Sequence, residues 1–312
     1  MVETNSKAVR TARRLCVARI VAAERALARR PDDATVHLAR RELKRARALL
    51  RLVRGALAPP AYAAANGVLR DVGQMLGAAR DAAAQRDLLR ELATDAGVSA
   101  AALRPLVARL DRERRARRAG IDMARARQLL ASGRTRLLAV RLEGDRAMLA
   151  DGFVRIYRRG RRAFAAAREV PRPARLHAWR KHVKHYWHAL EALAPAWPRL
   201  MTALAAEAHR LADVLGAHHD CALLGARLEA APLPKALQRR LVAALARRRA
   251  ALRARAFAIG ERFYEERPRR LAPRAAQWWQ MWSDAAPAEM LRSVQPRRPA
   301  HARARGRQGR SQ

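Results

Sequence analysis

The sequence predicts an all-α fold made of two similar helical bundles packed face to face, and three observations predict it. Ala, Leu and Arg dominate, while Phe, Trp and Tyr together reach only 4% of the 312 residues. Apolar positions recur at spacings of three and four, the period of an α-helix, and no stretch alternates as a half-buried strand would. The chain also aligns with itself when shifted by about 140 residues, too long for a solenoid repeat and the right length for a small bundle.

Proline and glycine divide the helices. Breaks fall at Pro31, Pro59 and Pro60, Gly77, Gly133, Gly144, Pro171 and Pro173, Pro195, Pro198, Gly216, Pro232 and Pro234, and Pro268, which leaves roughly ten helices. In the first motif-bearing helix, Val36, Ala39, Leu43, Ala46, Leu50, Val53 and Leu57 form the alternating seam of a buried face. His37, Arg40, Lys44, Arg47, Arg51 and Arg54 keep the same spacing one residue later, so this basic stripe lies about 100° round the helix from the seam. A merely solvated face would lie opposite the seam; a stripe beside it can line a groove between neighbouring helices. From His37 to Arg51 it runs roughly 21 Å.

Gly77 and Gly216 belong to a repeated Leu-Gly element: Leu76 to Asp81 matches Leu215 to Asp220. The glycines are expected to end helices in a left-handed cap, and Asp81 and Asp220 to cap the helices that follow. Arg80, His218 and His219 would then stand at helix N-termini, where backbone N–H groups favour an anion. The second basic helix repeats the first: Val36 to Arg41 aligns with Leu176 to Lys181, and Lys44 with Lys184. Its seam is Leu176, Trp179, Val183, Tyr186, Leu190, Leu193 and Trp197, with His177, Arg180, Lys181, Lys184 and His188 beside it. Trp278, Trp279 and Trp282 read as a helix sealing a core. From Ser293 onward six arginines, no acid and almost no large apolar residue predict a disordered Arg-rich tail, 293–312. Residues 1–292 are read as a single domain of two halves, about 7–145 and 146–292.

Sixty-six Lys and Arg against 27 Asp and Glu give a formal net charge of +39, which calls for an anionic partner. Cys16 and Cys221 stand far apart, so neither a disulfide framework nor a cysteine metal site is expected. No apolar run has signal-peptide or transmembrane length, and a cytoplasmic location without membrane association is expected.

The two basic helices and the two Leu-Gly elements together resemble the CHAD family, the conserved histidine α-helical domain, over about residues 7–290. His37, Arg40, Lys44, Arg45 and Arg47 match its first motif; His177, Arg180, Lys181 and Lys184 match its second. Leu76, Gly77, Arg80 and Asp81, and later Leu215, Gly216, His218 and Asp220, match its remaining two. His219 departs from the usual Asn, and His185, Trp187 and His188 stand where Arg and Tyr are usual. The resemblance implies two bundles of about four main helices facing a central basic groove that binds inorganic polyphosphate. It also implies association with polyphosphate granules. Polyphosphate-binding residues are expected to be His37, Arg40, Arg41, Lys44, Arg45, Arg47, Arg51 and Arg80 in the first half, and His177, Arg180, Lys181, Lys184 and His218 in the second.

Binding without catalysis, cofactor or metal is the expectation. Arginines would fork onto phosphate oxygens, lysines would act as point charges, and His37, His177 and His218 would gain charge near their ordinary pKa of about 6.5, strengthening binding as pH falls from 8 to 6. Non-specific binding to the backbone of RNA or DNA is the alternative, set against few aromatic residues for base stacking. An HD-type metal phosphohydrolase, suggested by His219-Asp220 near His177, His182, His185 and His188, is the third reading. The matching place in the first Leu-Gly element holds Arg80, which would repel a divalent cation.

Overall fold

The computed structural model describes residues 2–29 and 32–285, and their side chains except at 2–6, 78–83 and 283–285. Among the described residues there are eleven α-helices and no strand. Six come first: α1 (Val2–Leu27), α2 (Asp33–Leu52), α3 (Pro59–Met75), α4 (Ala78–Asp95), α5 (Ala100–Ala119) and α6 (Met123–Ala139). Five follow: α7 (Arg146–Glu169), α8 (Pro173–Leu193), α9 (Pro198–Glu229), α10 (Lys235–Phe263) and α11 (Pro268–Ala285). Short 3₁₀ turns, Val53–Ala56 and Ala194–Ala196, continue α2 and α8.

Local chemistry sets several boundaries. Asp32 accepts a hydrogen bond from Thr35 N at 2.6 Å and so caps α2, and Asp145 accepts from Ala147 N at 3.0 Å at the start of α7. Proline occupies the first turn of α3, α8 and α9, where its missing N–H costs nothing. Gly133 lies inside α6 and breaks nothing.

The Leu-Gly elements differ from the capping expectation. Gly77 joins α3 to α4 with right-handed helical backbone, φ −83° and ψ −39°, and Gly216 lies within the unbroken α9. Neither has positive φ, and Asp81 and Asp220 are both inside helices. The reason those positions are glycine is tertiary, as the site makes plain.

Every apolar seam residue of α2 and its 3₁₀ extension is buried, from Val36 to Leu57. So is the seam of α8 from Leu176 to Leu193, each large side chain contributing about 1.5–3 kcal/mol of gross burial. Trp197 breaks that pattern: it is 50% exposed, because the chain has already turned out of α8 into the start of α9. One apolar interior joins α1, α2 and α3 with α7, α8 and α11, so residues from both sides of position 145 share it. A second, smaller core packs Leu89 and Leu92 of α4 and Leu103 and Leu110 of α5 against Leu224 of α9 and Leu241 of α10. Trp278, Trp279 and Trp282 are buried, and Trp282 Nε1 donates to the Ala192 carbonyl at 3.2 Å. Pro31 and the Arg-rich segment 293–312 lie outside the described residues.

Candidate functional site

The basic faces of α2 and α8 meet across a cavity of about 560 Å³ that α3, α4 and α9 help to wall. From α2 it receives Arg40, Lys44, Arg47 and Arg51, the middle of the stripe beside the buried seam. From α8 come His177, Arg180, Lys181, Lys184, His185 and His188. Helix α9 adds His219 and Asp220, and α3 adds Arg70, Gly73 and Gln74. Among the described residues, eight Lys or Arg side chains and four histidines thus face one acid, Asp220, and no Phe, Tyr or Trp is on this wall.

Several of the cations are fixed by the protein itself. Arg40 Nη1 donates to the Leu76 carbonyl at 2.7 Å, an acceptor left at the end of α3. Arg47 Nε donates to Asn66 Oδ1 at 3.2 Å, and Arg51 Nη1 to the Arg47 carbonyl at 3.0 Å. The like charges strain one another electrostatically. Burial, then the neighbouring Arg47, lower the Arg51 pKa to about 10; Tyr62 opposes them, and Arg159 adds a smaller lowering. Burial together with Arg70 also lowers that of Arg47.

His177 and His185 are held neutral. Burial first, then His219, Lys181, Arg180 and Lys184, push the His177 pKa down to about 4; its ring lies 4.2 Å from that of His219, centre to centre. Burial and Arg51 push His185 down to about 2. The rise in affinity expected between pH 8 and 6 therefore has no titrating group in His177 of the unliganded protein. His218 belongs elsewhere: it is buried on the face of α9 that carries Leu211 and Leu215, and burial with Arg249 and Arg253 lowers its pKa to about 4. It is not among the cavity-lining residues; its neighbour His219 is.

Arg45, Arg41 and His37 are likewise not among the cavity-lining residues. Arg45 is held between two carboxylates, with Nη1 3.1 Å from Glu42 Oε1 and Nε 3.2 Å from Glu191 Oε2. Arg41 pairs with Glu42 at 3.5 Å and is half exposed. His37 is exposed at the start of the second turn of α2. Arg80 is on α4, with its side chain outside the described residues. Sequence reasoning missed Arg70, Gln74 and Asn66, whose only signal is that α3 packs beside α2. Among the described residues no helix is long and apolar enough to cross a membrane.

Comparison with known proteins agrees with this architecture. Among solved structures, PptA from Streptomyces chartreusis is similar at 17% identity, with a TM-score of 0.63 over 83% of this chain and 99% of that one. The CHAD domain from the plant Ricinus communis is similar at 22% identity, with a TM-score of 0.53 over 81% of this chain and 89% of its own. No curated protein matches. The family model for the CHAD domain matches residues 11–229, most of the chain, and the protein therefore belongs to the CHAD family.

Proposed function

We propose that the protein binds inorganic polyphosphate in the cavity between α2 and α8 without transforming it, and that it associates through that ligand with polyphosphate granules. The observation that carries this reading is the cavity wall, which among the described residues has eight Lys or Arg side chains, one acid and no aromatic side chain other than histidine. A phosphate chain offers a line of negative charge and no bases, so it needs forked and point-charge donors and no stacking platform. The affinity is a sum of modest contacts and falls with salt, log K against log salt having a slope of about −0.7 to −0.9 per neutralised phosphate by analogy with nucleic acids. The ligand set supported by position is Arg40, Lys44, Arg47, Arg51, Arg180, Lys181 and Lys184, joined by Arg70 and His177.

We infer too that the cavity arose by duplication of a helical unit. Supporting this, α1, α2 and the 3₁₀ turn recur in order as α7, α8 and the second 3₁₀ turn, α3 and α4 recur run together as α9, and α5 recurs as α10. Pro59 at the start of α3 corresponds to Pro198 at the start of α9.

Binding to the RNA or DNA backbone is the competing reading, favoured only by total charge. A metal phosphohydrolase would need several Asp, Glu, His or Cys ligands converging, and no such group of three occurs among the described residues. The test is a titration with long-chain polyphosphate and with single-stranded RNA at one salt concentration, on the full chain, a chain lacking 293–312 and an Arg40/Lys44/Arg47 triple alanine variant. Polyphosphate binding that survives loss of the tail and competition by RNA, and is lost in the triple variant, is the expected result. Equal binding of RNA, or binding lost with the tail, would replace this reading with bulk electrostatic attraction.

A further inference from the structure

Two glycines face the cavity arginines from across a helix interface. A Cβ placed on Gly216 would stand 3.1 Å from Arg180 Nη2, 3.2 Å from its Nε and 3.6 Å from its Cζ, so the Nε–Nη2 edge of the guanidinium lies against the bare backbone of α9. A Cβ on Gly77 would stand 3.3 Å from Arg40 Nη1, and also 3.1 Å from the Gln74 carbonyl oxygen. Neither glycine has a positive φ, so no turn requires it. Inside α9 an alanine would favour the helix itself, since glycine has more backbone freedom to lose on folding. What glycine provides at these two places is room for an arginine.

We infer that Gly77 and Gly216 are positioning residues, notches that seat Arg40 and Arg180 as fixed forks on the cavity wall. This rests on the reading of the cavity as a polyphosphate site and names the part of the chain that prepares it. A guanidinium held against a helix has already lost most of its rotamer freedom before an anion arrives. In the first notch the Leu76 carbonyl holds Arg40 as well. Adding one methyl group at Gly216 displaces the Arg180 fork without removing any charge and without touching the ligand.

The experiment is a double-mutant cycle on the full chain, with polyphosphate affinity and melting temperature read for wild type, Gly216→Ala, Arg180→Ala and the double variant. Gly216→Ala is expected to weaken binding roughly three- to tenfold, the entropy of one side chain no longer held in place. Its melting temperature should hold or rise. In the Arg180→Ala background the same glycine change should cost no further affinity, because the group it displaces is already gone. Arg180→Lys, which keeps the charge without the fork, is a second background expected to show the same insensitivity. Unchanged affinity in Gly216→Ala, additive losses in the cycle, or a fall in melting temperature that accounts for weaker binding would overturn the inference and leave the polyphosphate reading standing. Failure of the wild type to bind polyphosphate would overturn both.

Discussion

Arg45 on α2 and Glu191 on α8 are joined across the molecule, Nε to Oε2 at 3.2 Å and Nη2 to Oε1 at 3.4 Å. Each is linked onward: Arg45 to the buried Glu42, which also receives Arg19 at 3.1 Å, and Glu191 to His188 Nδ1 at 2.9 Å. This chain of paired charges ties the two basic helices together just behind the cavity. The carboxylates that neutralise the first basic helix are therefore placed to brace it and not to compete for a ligand.

Removing one member of this brace should cost stability. Arg45→Ala leaves Glu191 and Glu42 with fewer donors, and a loss of about 1–3 kcal/mol in chemical denaturation is expected. Burial raises the Glu191 pKa, but hydrogen bonds from His188 and Arg45 outweigh it and bring it to about 2. Its contribution is thus full above the unfolded value of about 4.3 and is lost as pH falls toward 2. Melting curves between pH 5 and 2.5, about the window set by those two values, should be less steep in pH for Glu191→Gln than for wild type.

The histidines give stability and binding opposite pH responses. His177, near 4 when folded, stays neutral at a pH where its unfolded counterpart, near 6.5, takes up a proton. Unliganded stability should therefore fall as pH drops from about 6.5 toward 4. A bound polyanion replaces the repulsion of Lys181, Arg180 and Lys184 with attraction, so binding near pH 5.5, roughly the middle of that window, should take up protons and strengthen as pH falls further. Calorimetry in buffers of different ionisation enthalpy measures the uptake; equal heats in all of them would remove histidine from the linkage.

Arg51 should trade stability for binding. It is largely buried, repelled by Arg47 and Arg159, and lines the cavity. Arg51→Leu should raise stability by about 0.5–2 kcal/mol. The same change should weaken polyphosphate binding and reduce the log-log salt slope by about one contact. A variant that melts lower and binds normally would contradict both expectations.

Gly152 should be intolerant of any side chain. Its Cα lies against the Leu52 backbone, where a Cβ would collide with the carbonyl oxygen and also stand 3.0 Å from the carbonyl carbon. Gly152→Ala must push α7 away from the end of α2, at a cost of about 1–3 kcal/mol, visible in denaturant titration. Unlike Gly216→Ala, it should lower the melting temperature.

Much of this architecture was legible in the residues, and the rest fails for identifiable reasons. The seam of α2 could be read to the residue because burial on one helix face follows a period of 3.6, and the stripe beside it leads to Arg40, Lys44, Arg47 and Arg51 on the cavity wall. Gly216 misled because glycine is a frequent helix terminator, and nothing local announces that Arg180, thirty-six positions earlier, needs its space. The expected helix start at His218 and His219 is absent, and because neighbours on an unbroken helix point about 100° apart only His219 of the two lines the cavity. Arg45 carries the spacing of a ligand but meets Glu191, a partner 146 residues away that only the fold reveals.

The interior shared across position 145 has a consequence during synthesis. Leu50, Leu52 and Val53 of the first half are covered in company with Leu149, Phe153 and Leu190 of the second. A nascent chain that has emerged only as far as α6 lacks that cover, and domains ordinarily fold as units while they are being made. The earlier helices are therefore expected to complete their packing only after the later ones emerge, and a chain cut between the halves is expected to expose these apolar side chains and aggregate.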